Sequence, residues 1–137
     1  MTIELQHGAE APTDDIRAGL LNHNRKTVNR PEPHTFSIVV RDEGKLVGGI
    51  NATVHWDVLF IEHVWLDEPY RGQGRGREIM ALAQAEGVRL GAVKAILDTN
   101  DWQAPGFYAK LGYTPMGAYT YDGDTKECIL LVKDLTA

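Results

Sequence analysis

The chain has 137 residues, 43% of them hydrophobic and 24% charged, with fourteen Lys and Arg against nineteen Asp and Glu for a formal charge of −5. This is the length of one domain and the mixture of an ordinary globular chain, which excludes disorder and a fibrous repeat, and the acidic balance argues against nucleic acid as the main ligand. The single cysteine, Cys128, excludes an intramolecular disulfide, no apolar run approaches a membrane span, and the start MTIELQHGAE has no signal-peptide pattern, so a cytoplasmic protein without membrane attachment is expected.

In chain order, Thr2 to Gln6 reads as a short strand. Asp14, Asp15 and Ile16, followed by Leu20 and Leu21, read as a helix with acidic residues at its positive end, stopped by Pro31 and Pro33. From His34 the period changes to two: Phe36, Ile38 and Val40 alternate with Thr35, Ser37 and Val39. Glu43 and Gly44 turn this strand into a return strand over Leu46 to His55, and Val58 to Leu66 makes a third, ended by Asp67, Glu68 and Pro69. Arg75 to Leu90 carries Ile79, Leu82, Ala83 and Leu90 on one helical face, with Gly87 and Gly91 blurring its end. Ala92 to Asp98 is an apolar run of strand length, and a helix between two such strands predicts a crossover joining parallel neighbours. Ala104 to Leu111 reads as a short helix with Pro105 in its first turn and Gly112 at its end. Thr114 to Tyr121 and Cys128 to Val132 read as a closing hairpin around the turn Asp122, Gly123, Asp124. The expectation is an α/β chain with a mixed sheet, forming a single domain over residues 1–137.

The most informative segment is Leu66-Asp67-Glu68-Pro69-Tyr70-Arg71-Gly72-Gln73-Gly74-Arg75-Gly76, because it joins an apolar strand to an amphipathic helix. The first N–H groups of a helix lack backbone partners and its dipole is positive there, while glycines let an anion approach the backbone. The spacing fits neither GxxxxGK[ST] nor GxGxxG, since the latter requires glycine at Arg77 or Ile79.

Arg71 to Gly76, RGQGRG, has the form [RQ]xxGx[GA], and Ala104 to Tyr113, APGFYAKLGY, is similar to the segment AxxxYxKxGF. Together they resemble the GNAT N-acetyltransferase superfamily over about Phe36 to Val132. The resemblance implies a mixed, mostly antiparallel central sheet with flanking helices, splayed at the central parallel strand pair. It implies acetyl-coenzyme A as acetyl donor, with the pyrophosphate on Arg71, Gly72, Gln73, Gly74, Arg75 and Gly76, and the pantetheine arm along Val64, Trp65 and Leu66. One departure stands out: the family's frequent asparagine seven residues before the tyrosine falls on Asp101, and this chain has Asn100 one place earlier.

The implied reaction is direct transfer to a primary amine, with a small-molecule acceptor slightly favoured over a protein. It needs a base for the amine, a donor to the oxyanion and an acid for the leaving thiolate. Tyr108 matches the family tyrosine that serves as acid, and its phenol is protonated at neutral pH. Glu62 is the expected base, placed by strand alternation on the face of Val64, with His63 on the opposite face and water as the remaining alternatives. The backbone N–H of Val64 is the expected oxyanion donor. His55, Trp56 and Asp57, at the preceding turn, are open to an acceptor contact. No metal is expected, because His7, His23, His34, His55 and His63 show no ligand spacing. Cys128, in the apolar run CILLV, reads as a buried hydrophobe. A monomer or a homodimer is expected. The rival from another class is a non-catalytic acyl-coenzyme A sensor of the same fold.

Overall fold

The computed structural model describes residues 1–121, 123 and 125–136, so Asp122 and Asp124 of the expected closing turn lie outside the described residues. The chain divides into two compact units, Met1–Pro31 and Glu32–Ala137. In the first, the expected strand over Thr2 to Gln6 is absent. Residues 2–6 belong to no regular element and pair with no strand, and Ile3 and Leu5 are 94% and 84% exposed. A short alternating run forms a strand only where a sheet edge receives it. Helix α1 (Thr13–Thr27) forms as expected, with Asp14 and Asp15 in its first turn and Arg25 and Lys26 in its last, the polarity that its dipole favours.

The second unit is a six-stranded sheet with two helices. The strands are β1 (His34–Asp42), β2 (Lys45–His55), β3 (Val58–Leu66), β4 (Lys94–Asn100), β5 (Thr114–Tyr121) and β6 (Lys126–Asp134). The helices are α2 (Arg75–Arg89) and α3 (Pro105–Lys110). Strand order is β1-β2-β3-β4-β6-β5, and every neighbouring pair is antiparallel except β3 and β4, which run parallel and are joined through α2. This is the expected mixed α/β architecture. Among the described residues, no helix is long and apolar enough to cross a membrane.

The core lies on one face of the sheet. Ile50, Ala52 and Val54 of β2, Leu59 and Ile61 of β3, and Ala95 and Leu97 of β4 are buried together with Ile79, Met80 and Ala83 of α2. Full burial of a side chain such as Leu59 contributes about 1.5–3 kcal/mol. Gly87, which reads as a weak point of α2, is a packing notch: a Cβ there would lie 2.8 Å from Leu59 Cδ2.

Two features of β3 position the site. Its pairing with β4 runs from Val58↔Lys94 to Ile61↔Leu97 and stops, although β3 continues to Leu66 and β4 to Asn100. The central parallel pair therefore splays, leaving the β4-facing edge of Glu62 to Leu66 unpaired. The second feature is a β-bulge. On β2, Asn51 pairs with His63 and the next residue, Ala52, pairs with Ile61, so Glu62 is an extra residue. This corrects the expectation from alternation. Ile61 and Val64, opposite Ala52 and Ile50, keep the core face, while His63 lies opposite exposed Asn51 and Glu62 hydrogen-bonds Thr53 on that same outer face. Glu62 shares its face with His63, not with Val64.

Candidate active site

The segment after β3 is built by its own polar side chains. Asp67 Oδ1 accepts from Glu68 N at 3.0 Å, and the Asp67 N–H donates to Val47 O at 2.8 Å, so the chain leaves the sheet in a fixed direction. Tyr70 donates its hydroxyl to Asp42 Oδ2 at 2.6 Å, tying the loop to the end of β1, and this bond to a carboxylate pushes the Tyr70 pKa up. Arg71 Nε donates to Leu66 O at 2.7 Å. Arg75 donates to Tyr70 O at 3.4 Å and to Gln73 Oε1, with its guanidinium 5.7 Å from the Tyr70 ring centroid. Three residues expected to meet a phosphate through charge or amide, Arg71, Gln73 and Arg75, thus brace the loop with their side chains.

The loop backbone needs its glycines. Gly72 and Gly74 have φ of 74° and 84°, the left-handed region that side chains avoid, and nothing lies within 4 Å of where a Cβ would stand. Gly74 is the N-cap of α2 and no side chain caps that end, so the first-turn N–H groups of Arg75, Gly76 and Arg77 face outward from an uncapped positive terminus. Gly76 lets α2 sit on α3: a Cβ at Gly76 would lie 3.2 Å from Phe107 Cζ. The Phe107 ring meets Tyr108 edge-on at 5.1 Å, so one aromatic ring separates the loop from Tyr108.

Tyr108 is 9% exposed and shares the apolar cluster with Ile61 and Leu97, the last paired rung before the splay. Burial raises its pKa above the usual value of 10.0, which keeps the phenol protonated. Its neighbour Tyr113, 6.1 Å away between ring centroids, donates its hydroxyl to Gln84 Oε1 at 2.8 Å, whereas no described side chain hydrogen-bonds the Tyr108 hydroxyl. On the other bank of the splay, β4 ends at Asn100, whose Oδ1 is buried and has no hydrogen-bond partner. A buried acceptor without a donor is costly, and a donor supplied by a ligand relieves it. Asp101, which takes the family asparagine's place, is exposed and donates its N–H to Glu127 O at 2.9 Å in the turn that follows.

The face of the sheet away from α2 and α3 carries the titratable groups. The bulge sets Glu62 and His63 side by side there, both exposed. Glu62 accepts from the Thr53 hydroxyl, and His63 Nδ1 lies 3.2 Å from Asn51 Nδ2. Trp65 follows on the same face, 48% exposed, opposite Gly49. Across the splay Asp98 is exposed on the corresponding face of β4. Ser37, Asn51 and Thr53 escaped the sequence reading. Their signal, polar residues recurring in apolar strands, becomes legible only once the register places them beside Glu62 and His63.

Other expected residues stand apart from this site. His55, Trp56 and Asp57 form the β2–β3 turn, where Asp57 O accepts from Val93 N at 2.8 Å, at the end of the β3–β4 pair opposite the splay. Cys128 is buried, 1% exposed, between β4 and β5. Among the described residues, no three His, Cys, Asp or Glu side chains group to hold a metal ion.

Residues 4–113 match the model of the acetyltransferase (GNAT) family. The chain is 37% identical over 73 residues to blasticidin-S acetyltransferase of Streptomyces morookaense, a match that spans 53% of this chain and 54% of that protein, about half of each. A crystal structure of an acetyltransferase from Bacillus cereus superposes with a TM-score of 0.81 at 25% identity, covering 96% of this chain and 97% of that one. Nourseothricin acetyltransferase superposes with a TM-score of 0.63 at 27% identity, covering 77% of this chain and 66% of that one.

Proposed function

Since the chain belongs to the acetyltransferase (GNAT) family, we propose that it moves an acetyl group from acetyl-coenzyme A to the primary amine of a small molecule, by direct transfer. The observation that carries this reading is the joint placement of the splay and the loop. An unpaired strand edge, Glu62 to Leu66, runs into an uncapped helix terminus, and Tyr108 stands one ring away. Bound acetyl-coenzyme A supplies an acyl group activated as a thioester. The residues fit that group: Gly72 and Gly74 leave the backbone open to a diphosphate, the free edge at Val64 and Leu66, on either side of Trp65, offers backbone groups to the pantetheine amides, and Asn100 Oδ1 is an acceptor in want of a donor.

The protein's own groups then divide the proton work. Glu62 Oε, held by Thr53, takes the proton that the amine loses as its nitrogen forms the new bond to carbon. The N–H of Val64, on the unpaired edge, donates to the oxygen that gains charge. Tyr108 Oη, kept protonated by burial, gives its proton to the sulfur as the carbon–sulfur bond breaks. The relatives named for blasticidin S and nourseothricin support a small-molecule amine, as do the exposed carboxylates Glu62 and Asp98, which attract a cation on the outer face. A cytoplasmic site of action is part of this reading, supported by the lone, buried Cys128.

Titration calorimetry with acetyl-coenzyme A followed by thiol release against a panel of small amines, blasticidin S and nourseothricin included, tests the proposal. Binding of the coenzyme with thiol release in the presence of one of these amines is expected. Binding without turnover of any amine replaces the transferase reading with that of a sensor, and no binding removes both.

A further inference from the structure

His63 is held by a chain of hydrogen bonds that crosses three strands. Ser37 Oγ on β1 donates to Asn51 Oδ1 on β2 at 2.8 Å, and with its oxygen turned to Ser37 the Asn51 amide presents its NH2 group to β3, 3.2 Å from His63 Nδ1. An amide NH2 donates and does not accept, so Nδ1 is the acceptor in this bond. A neutral imidazole carries one proton, which then stands on Nε2. Glu62, brought to the same face by the bulge, is held separately by the Thr53 hydroxyl. Two neighbouring groups that sequence reasoning offers as rival bases are therefore held in different ways.

We infer that Asn51 is a positioning residue that fixes His63 as an Nε2–H donor, so that Glu62, not His63, takes the proton of the acceptor amine. The inference rests on the acetyltransferase reading for its second half; the first half is a property of the protein alone. In the fixed tautomer His63 has no lone pair to offer: Nδ1 is engaged by Asn51 and Nε2 carries the hydrogen. It serves as a neutral donor toward an oxygen of the bound acceptor, while the neighbouring carboxylate accepts. Among the described residues of β2 to β4, the ionisable groups on this face are Glu62 itself, His55 further back on β2, and Asp98 and Lys94 on β4, where Lys94 pairs with Asp134 of β6. β1 brings no charge nearer than Arg41, four residues along from Ser37.

The tautomer is read directly from the imidazole nitrogen signals of His63 in the coenzyme-free protein, at a pH where the ring is neutral. An unprotonated Nδ1 and a protonated Nε2 are expected; the reverse pattern overturns the inference and leaves the acetyltransferase reading standing. Asn51→Asp replaces the donor with an acceptor, so the proton moves to Nδ1 and Nε2 gains a lone pair. This variant is combined with Glu62→Gln, which removes the base at a cost of about 10²–10⁴-fold in rate. If the tautomer is what keeps His63 from acting as base, N51D in the E62Q background recovers at least about tenfold of kcat/KM. Asn51→Leu in the same background recovers nothing, which separates the switch of tautomer from a change of shape. A double variant with reversed nitrogen signals and no recovery overturns the division of labour between Glu62 and His63. Wild-type protein with the expected signals that turns over no amine overturns the acetyltransferase reading while supporting the hydrogen-bond assignment.

Discussion

The two faces of the sheet in the second unit are built on different principles. The face under α2 and α3 is apolar and closed: Leu59, Ile61, Ala95 and Leu97 interlock with Ile79, Met80 and Ala83, and even Gly87 is dictated by the space that Leu59 takes. The opposite face holds a polar cluster on β1 to β3, with Ser37, Asn51, Thr53, Glu62 and His63 joined in two short hydrogen-bonded sets. Both faces are made by the same strands. The difference teaches that this fold packs its helices on one side and leaves the other free to hold exposed polar side chains, with the splay between β3 and β4 as the place where the two sides meet.

Variants sort by the side they touch. Gly74→Trp, at the N-cap of α2, forces a bulky side chain into a left-handed backbone over the open cradle, and loss of measurable acetyl-coenzyme A binding by calorimetry is expected. Unchanged affinity would separate the loop from the donor site. Tyr108→Phe tests a core side chain whose hydroxyl is the proposed acid. It is expected to spare coenzyme affinity and lower kcat by roughly 10²–10⁴-fold, and a normal kcat would return Tyr108 to the core alone. Leu59→Ala is a change on the closed face and is expected to cost about 2–5 kcal/mol in a urea titration. Glu62→Gln is its counterpart on the exposed face: stability within about 0.5 kcal/mol of the parent, with the rate lowered by about 10²–10⁴-fold. A large loss of stability for Glu62→Gln would erase the contrast between the faces.

The smallest effect is a pH dependence. Burial holds the pKa of Tyr108 and of Tyr113 above the usual 10.0. A raised folded-state value means that the folded protein binds these protons more tightly than the unfolded chain does. The stabilisation is complete below pH 10 and is lost as the pH climbs from 10 toward the folded-state values. Melting temperatures from pH 8 to 11 are expected to hold level and then fall, and Tyr113→Phe is expected to soften the fall while giving up about 1 kcal/mol through its lost bond to Gln84. A flat profile would place both phenols in water.

The strands β1 to β3, helix α2 and the short helix α3 were legible because their apolar residues keep a local period, and the loop was legible because glycines and arginines between a strand and a helix are rare without a reason. The strand expected at Thr2 to Gln6 failed because a five-residue alternation has no meaning without an edge to join. Glu62 was found for its charge in an apolar strand, yet alternation assigned it the face of Val64, since a bulge depends on how β3 pairs with β2 and leaves no trace in β3 itself. Arg71 and Arg75 were read as charge for an anion, and only the loop's folded path turns them back onto Leu66 and Tyr70.

The sequence by itself determined the family, the order of most elements and the chemical identity of the expected participants, Tyr108, Glu62 and the loop from Arg71 to Gly76, because these depend on residue type and on spacing along the chain. Tertiary structure decided which groups meet. The splay after Ile61 and Leu97, the bulge at Glu62 and the contact of Gly76 with Phe107 each arise from pairing or packing between residues far apart in sequence. So do the bonds that hold Glu62 to Thr53 and His63 to Asn51: hydrogen bonds are directional and reach about 3 Å, so they form only after the register has set their partners side by side.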